Sequence, residues 1–67
     1  MNDNKDKPCI ATVTSLSSGA PLVKFDGETY ESQKLYKRLA SYSTPAVNDR
    51  VLMMPISGSY VILGKIV

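Results

Sequence analysis

The chain has 67 residues, no histidine, one cysteine and a formal net charge of +2. That allows a single domain with a small core. It excludes an intramolecular disulfide and a structural zinc site, which needs four Cys/His ligands. No run approaches the ~20 apolar residues of a membrane-spanning helix.

Residues 1–8 are charged, lack apolar periodicity and end at Pro8, which predicts a disordered arm before a domain over 9–67. The arm has no apolar segment of signal-peptide length behind it, so the expected site of the protein is the cytoplasm in which it is made. Cys9 to Ser15 places Cys, Ala, Val and Ser on one face and Ile, Thr and Thr on the other, a β-branched alternation that predicts a strand. Leu16 to Ala20 reads as a turn. Leu22 to Phe25 is a second strand with Val23 and Phe25 on one face.

Asp26-Gly27 follows at once, a strong hairpin signal. The return is predicted over Thr29 to Ser32, with Leu35 to Leu39 extended after it. Leu35 and Leu39 also lie four apart, as on one face of a helix, but the turn favours a bent strand over residues 28–42. Ala40 to Asp49 is rich in Ser, Thr, Pro and Asn and reads as a loop. Val51 to Ile56 and Tyr60 to Val67 are apolar at nearly every position, as in strands buried on one face and covered on the other. Pro55 belongs near a strand end or edge, and Gly64 predicts a bulge or sharp bend. Five short strands in this length predict an all-β fold, a small five-stranded OB-like or SH3-like barrel.

Enzyme chemistry has little support. The commonest general base, histidine, is absent. Nothing near Cys9 would activate its thiol, and a half-buried small residue is the simpler account. Asp26, Glu28 and Glu31 bracket a turn at spacings that match no calcium loop. No catalytic residue, cofactor or metal site is expected.

Two patterns point to binding. Charge is uneven, with net −2 over residues 1–31 and +4 over 32–67. Lys34, Tyr36, Lys37, Arg38, Tyr42 and Lys65 combine bases with rings in the way a single-strand nucleic-acid binder does. The small total charge weakens that reading, and a solvent-facing strand with barrel-capping tyrosines explains the same residues. The second pattern is a surplus of large apolar residues in the last two strands. Alternation cannot put all of them inside so small a barrel. Met53, Met54, Ile56, Tyr60 and Ile62 are therefore the candidate interface with a second copy or another protein.

Several blocks in order, Val23 to Glu28, Lys34 to Tyr42, Pro45 to Leu52 and Gly58 to Ile66, resemble a family of small proteins encoded by bacteriophages and prophages of Gram-positive bacteria, often among tail and baseplate genes. The last two blocks also resemble the OB-fold segments of phage tail-hub and spike proteins, in which a Gly-Asp-Arg-Val turn enters a strand and a Val-Ile-Leu-Gly strand follows. Here Asn48 stands in place of that Gly, and Asn tolerates the left-handed backbone such a turn needs. The resemblance implies a non-enzymatic structural or interaction component of a tail or baseplate, assembling as a homo-oligomer with other phage structural proteins and no membrane. It places the protein in the bacterial host cytoplasm or the virion. The alternatives are a phage-encoded nucleic-acid-binding OB module and a small inhibitor of a host protein.

Overall fold

The computed structural model describes residues 7–67, so residues 1–6 of the expected arm lie outside the described residues. Five strands form one sheet: β1 (Cys9–Ser17), β2 (Ala20–Phe25), β3 (Lys37–Arg38), β4 (Arg50–Ile56) and β5 (Ser59–Lys65). Their order is β2-β1-β4-β5-β3. The β1–β2, β1–β4 and β4–β5 pairs are antiparallel, whereas β3 runs parallel to β5. The fold is all-β, and no helix forms among the described residues.

Both hairpins turn on two residues. Ser18-Gly19 has φ of 53° and 86°, and Ser57-Gly58 has φ of 52° and 80°. Two successive positive φ angles suit the right-handed twist of the flanking strands, and glycine adopts the second without a Cβ clash. The first turn is therefore tighter than the five residues expected, and β1 and β2 extend into it.

Alternation then sorts the side chains. Cys9 faces Met53 and Ala11 faces Val51 across β1–β4, while Met53 faces Ile62 across β4–β5. Ala11, Val13, Val23, Val51, Met53 and Ile62 have no exposed surface. Each fully buried Val, Ile or Met stabilises the fold by roughly 1.5–3 kcal/mol relative to exposure. The intervening pairs, Ile10 with Leu52 and Met54 with Val61, stand on the opposite face and are half-buried. The expectation that both faces of β4 and β5 are covered is thus met on one face only.

Two bulges curl the sheet. Val13 pairs with Val23 and Ser15 with Leu22, leaving Thr14 as an extra residue in β1. Leu52 pairs with Gly64 and Met53 with Ile62, leaving Leu63 extra in β5 beside the glycine that predicted an irregularity. An extra residue bends its strand and strengthens the local twist.

The third strand is much shorter than predicted. After the Asp26-Gly27 turn, the chain returns beside β2 only at Ser32, whose N–H donates to the Val23 carbonyl at 2.6 Å. The Val23 N–H donates to the Ser32 hydroxyl at 3.2 Å, so a side chain replaces the carbonyl that a continuing ladder would supply. Regular pairing resumes at Lys37–Arg38 against Val61 and Ile62, and the Leu39 N–H extends it to the Ile62 carbonyl at 3.0 Å.

Candidate functional site

The candidate interface residues divide between the two faces. Met53 and Ile62 lie opposite one another on the inner face and are fully buried, so they are core residues, not contact residues. Tyr60 pairs with Pro55 on the same side and packs against the core, which removes it from the outer face as well. The physical reason is parity: β4 and β5 are apolar at consecutive positions, and every second one must turn inward. Met54 and Ile56 do point outward, with Ile56 49% exposed. Beside them stand Ile10, Leu52 and Val61, and the outer face becomes an apolar stripe across β1, β4 and β5.

That stripe ends in a polar cluster. Arg50 donates to both carboxylate oxygens of Asp26, at 2.8 and 2.9 Å, and to the Thr12 hydroxyl at 3.0 Å. The guanidinium holds the Asp26 carboxyl below its ordinary value. Across three neighbouring segments, this fork ties the end of β2 to β1 and β4.

Of the basic and aromatic set expected for nucleic acid, Tyr36, Lys37, Arg38 and Tyr42 line one shallow surface pocket, and Lys34 lies over the Tyr36 ring, but several of these side chains are engaged within the fold. Tyr42 is 6% exposed; its hydroxyl donates to Asp49 Oδ2 at 2.8 Å. Burial, together with that hydrogen bond and the Asp49 charge, pushes its pKa up to about 12. Arg38 donates through Nε to the Tyr42 carbonyl at 3.0 Å, and Lys65 lies 3.9 Å from Asp49. Lys37 is exposed, while Tyr36 belongs to a ring cluster with Phe25 and Tyr60.

Asp49 organises the loop before β4. Its Oδ2 also accepts the Ala46 N–H at 3.1 Å, and its own N–H donates to the Ala46 carbonyl at 3.1 Å. The turn places Asn48 at φ 81°, the left-handed conformation anticipated for it. The Asn48 N–H and Asp49 carbonyl then continue the β1–β4 ladder on Val13, each bond 2.8 Å.

A groove of about 530 Å³ is lined by Cys9, Phe25, Tyr36 and Tyr60 together with the charged side chains of Asp26, Glu28, Glu31 and Lys34. Phe25–Tyr36 centroids are 5.6 Å apart, Phe25–Tyr60 5.1 Å and Tyr36–Tyr60 6.2 Å, with interplanar angles of 81°, 56° and 84°. The Lys34 ammonium sits over the Tyr36 ring, 5.2 Å from its centroid. Glu31 accepts the Thr14 hydroxyl and, at 2.6 Å, the Ser15 hydroxyl, which hold its carboxyl below the ordinary value. Burial pushes the Cys9 thiol up, partly opposed by a hydrogen bond from Tyr60. The thiol is thus poorly suited to act as a nucleophile. No cluster of three or more potential metal ligands occurs among the described residues.

Sequence reasoning missed this groove, although it singled out most of its parts. Asp26-Gly27 showed where β2 ends, but not that the following irregular segment would bring Tyr36 and Lys34 back against Phe25 and Tyr60. No family model, curated protein or solved structure matches the chain.

Proposed function

We propose that the protein is a non-enzymatic assembly module of a bacteriophage tail or baseplate, built on an OB-type barrel. The parallel β3–β5 pair within an otherwise antiparallel five-stranded order favours the partly open Greek-key barrel over the SH3 type. The observation that carries the reading is the outer apolar stripe of Ile10, Leu52, Met54, Ile56 and Val61. In segment 28–42, Tyr36 and Tyr42 pack on the core side, so these two rings do not cover the stripe. The occupant of that stripe is a second copy of the chain, which removes apolar surface from water on both partners.

The nucleic-acid alternative finds less support, because Tyr42 is buried and Tyr36 is packed among other rings. Light scattering coupled to size exclusion, at low and moderate salt, tests the proposal. A discrete, salt-insensitive oligomer that Met54→Asp dissociates into folded monomers supports it. A strict monomer at high concentration under both conditions overturns it.

A further inference from the structure

We propose that the groove between Phe25, Tyr36 and Tyr60 is a binding site for an alkylammonium group, and that Lys34 is its resident intramolecular competitor. The ring faces meet at 56° to 84°. They form a corner instead of a flat platform, which suits a compact cation better than the broad face of a sugar or base. The negative faces of aromatic rings attract cations within about 6 Å of the centroid, and Lys34 already occupies that position over Tyr36.

The charged lining agrees. Asp26, Glu28 and Glu31 face one base, Lys34. Arg50 compensates Asp26, whereas Glu31 accepts two hydroxyls at Oε2 alone, and neutral donors leave its charge uncancelled. Lys24 reaches the edge of the groove, 3.4 Å from the Glu28 carbonyl, but only Lys34 among the bases lines it, so a phosphate would meet the Glu28 and Glu31 carboxylates there while a cation would not be repelled. At about 530 Å³ the groove also falls within the ordinary range for small ligands.

The test follows amide and ring NMR signals of the full chain during titration with choline, with Nα-acetyl-lysine methylamide, and with 3,3-dimethylbutanol, the neutral isostere of choline. Saturable shifts at Cys9, Phe25, Tyr36 and Tyr60 are expected with the cations and not with the isostere or matched sodium chloride. Lys34→Ala should tighten cation binding by about two- to fivefold, the range expected from removing one exposed cation–π competitor. Tyr36→Leu should abolish it and Tyr36→Phe retain it, which separates loss of the ring from loss of the hydroxyl. Preference for choline assigns a quaternary head and preference for the lysine amide assigns a side chain of a partner. No saturable binding to the Lys34→Ala protein, or equal binding of the neutral isostere, overturns the proposal.

Discussion

Residues 26–36 and 39–49 are the two long connections of the sheet, and each is organised around one carboxylate. In the second, Asp49 has a side chain only 13% exposed, and its Oδ2 accepts both the Tyr42 hydroxyl and the Ala46 N–H. That arrangement plants a tyrosine in the core. In the first, Glu31 accepts the Thr14 and Ser15 hydroxyls, and the segment touches the β2 backbone at Ser32. Its rings line an open groove, with Tyr36 only half-buried against the edge of the core. The difference shows how a polar anchor acts. Where it serves a buried ring, losing it leaves buried groups unpaired; where water can replace it, the loop loosens and the core survives.

The largest break in this contrast is Tyr42→Ala. Removing a buried aromatic costs about 3–5 kcal/mol, comparable with the whole stability expected of a domain this size, so unfolding at ambient temperature is the expected outcome in urea or thermal melts. Asp49→Ala comes next. It strands the hydroxyl of the buried Tyr42 and should lower stability by about 1–3 kcal/mol, and a double-mutant cycle with Tyr42→Phe should show clear coupling. Additive effects would separate the ring from its anchor and break the comparison.

Two pH experiments sharpen it. The folded-state pKa of Tyr42, about 12, lies above the ordinary 10, so its protonated form is the one the fold stabilises. That contribution is fully present below pH 10 and is lost as pH rises through 12. Tyrosinate absorbance should therefore show a late step that Tyr42→Phe removes. Glu31 shifts the other way, its folded pKa falling below the ordinary 4.5. Its contribution is present above pH 4.5 and is lost as pH falls through the lower folded value. Glu31→Gln should flatten the acid limb of the stability profile and leave the alkaline limb unchanged.

The smallest effect concerns motion. Backbone amides of residues 28–36 should exchange hydrogen faster than those of 46–50, since the latter bond to Asp49 and to the β1 ladder. Glu31→Ala should quicken exchange in the first segment alone. Equal protection in both segments would mean that Glu31 anchors its loop as firmly as Asp49 does.

The sequence by itself determined the four long strands and the turns between β1 and β2 and between β4 and β5, while the hairpin expected at Asp26-Gly27 did not form. Alternation in β1 and β2, paired apolar runs in β4 and β5, and Ser-Gly turns needing positive φ are local properties, and local properties leave a local trace. It also identified the left-handed turn at Asn48 and the irregularity at Gly64. Only the tertiary structure decided the parity of β4 and β5, because both parities look alike when successive residues are apolar; hence Met53 and Ile62 became core while Met54 and Ile56 stayed outside. It likewise decided the parallel β3–β5 pair, the burial of Tyr42 by Asp49, and the corner made by Phe25, Tyr36 and Tyr60. These depend on chain segments brought together across long separations, and closing such loops favours no partner that a window of neighbouring residues can show.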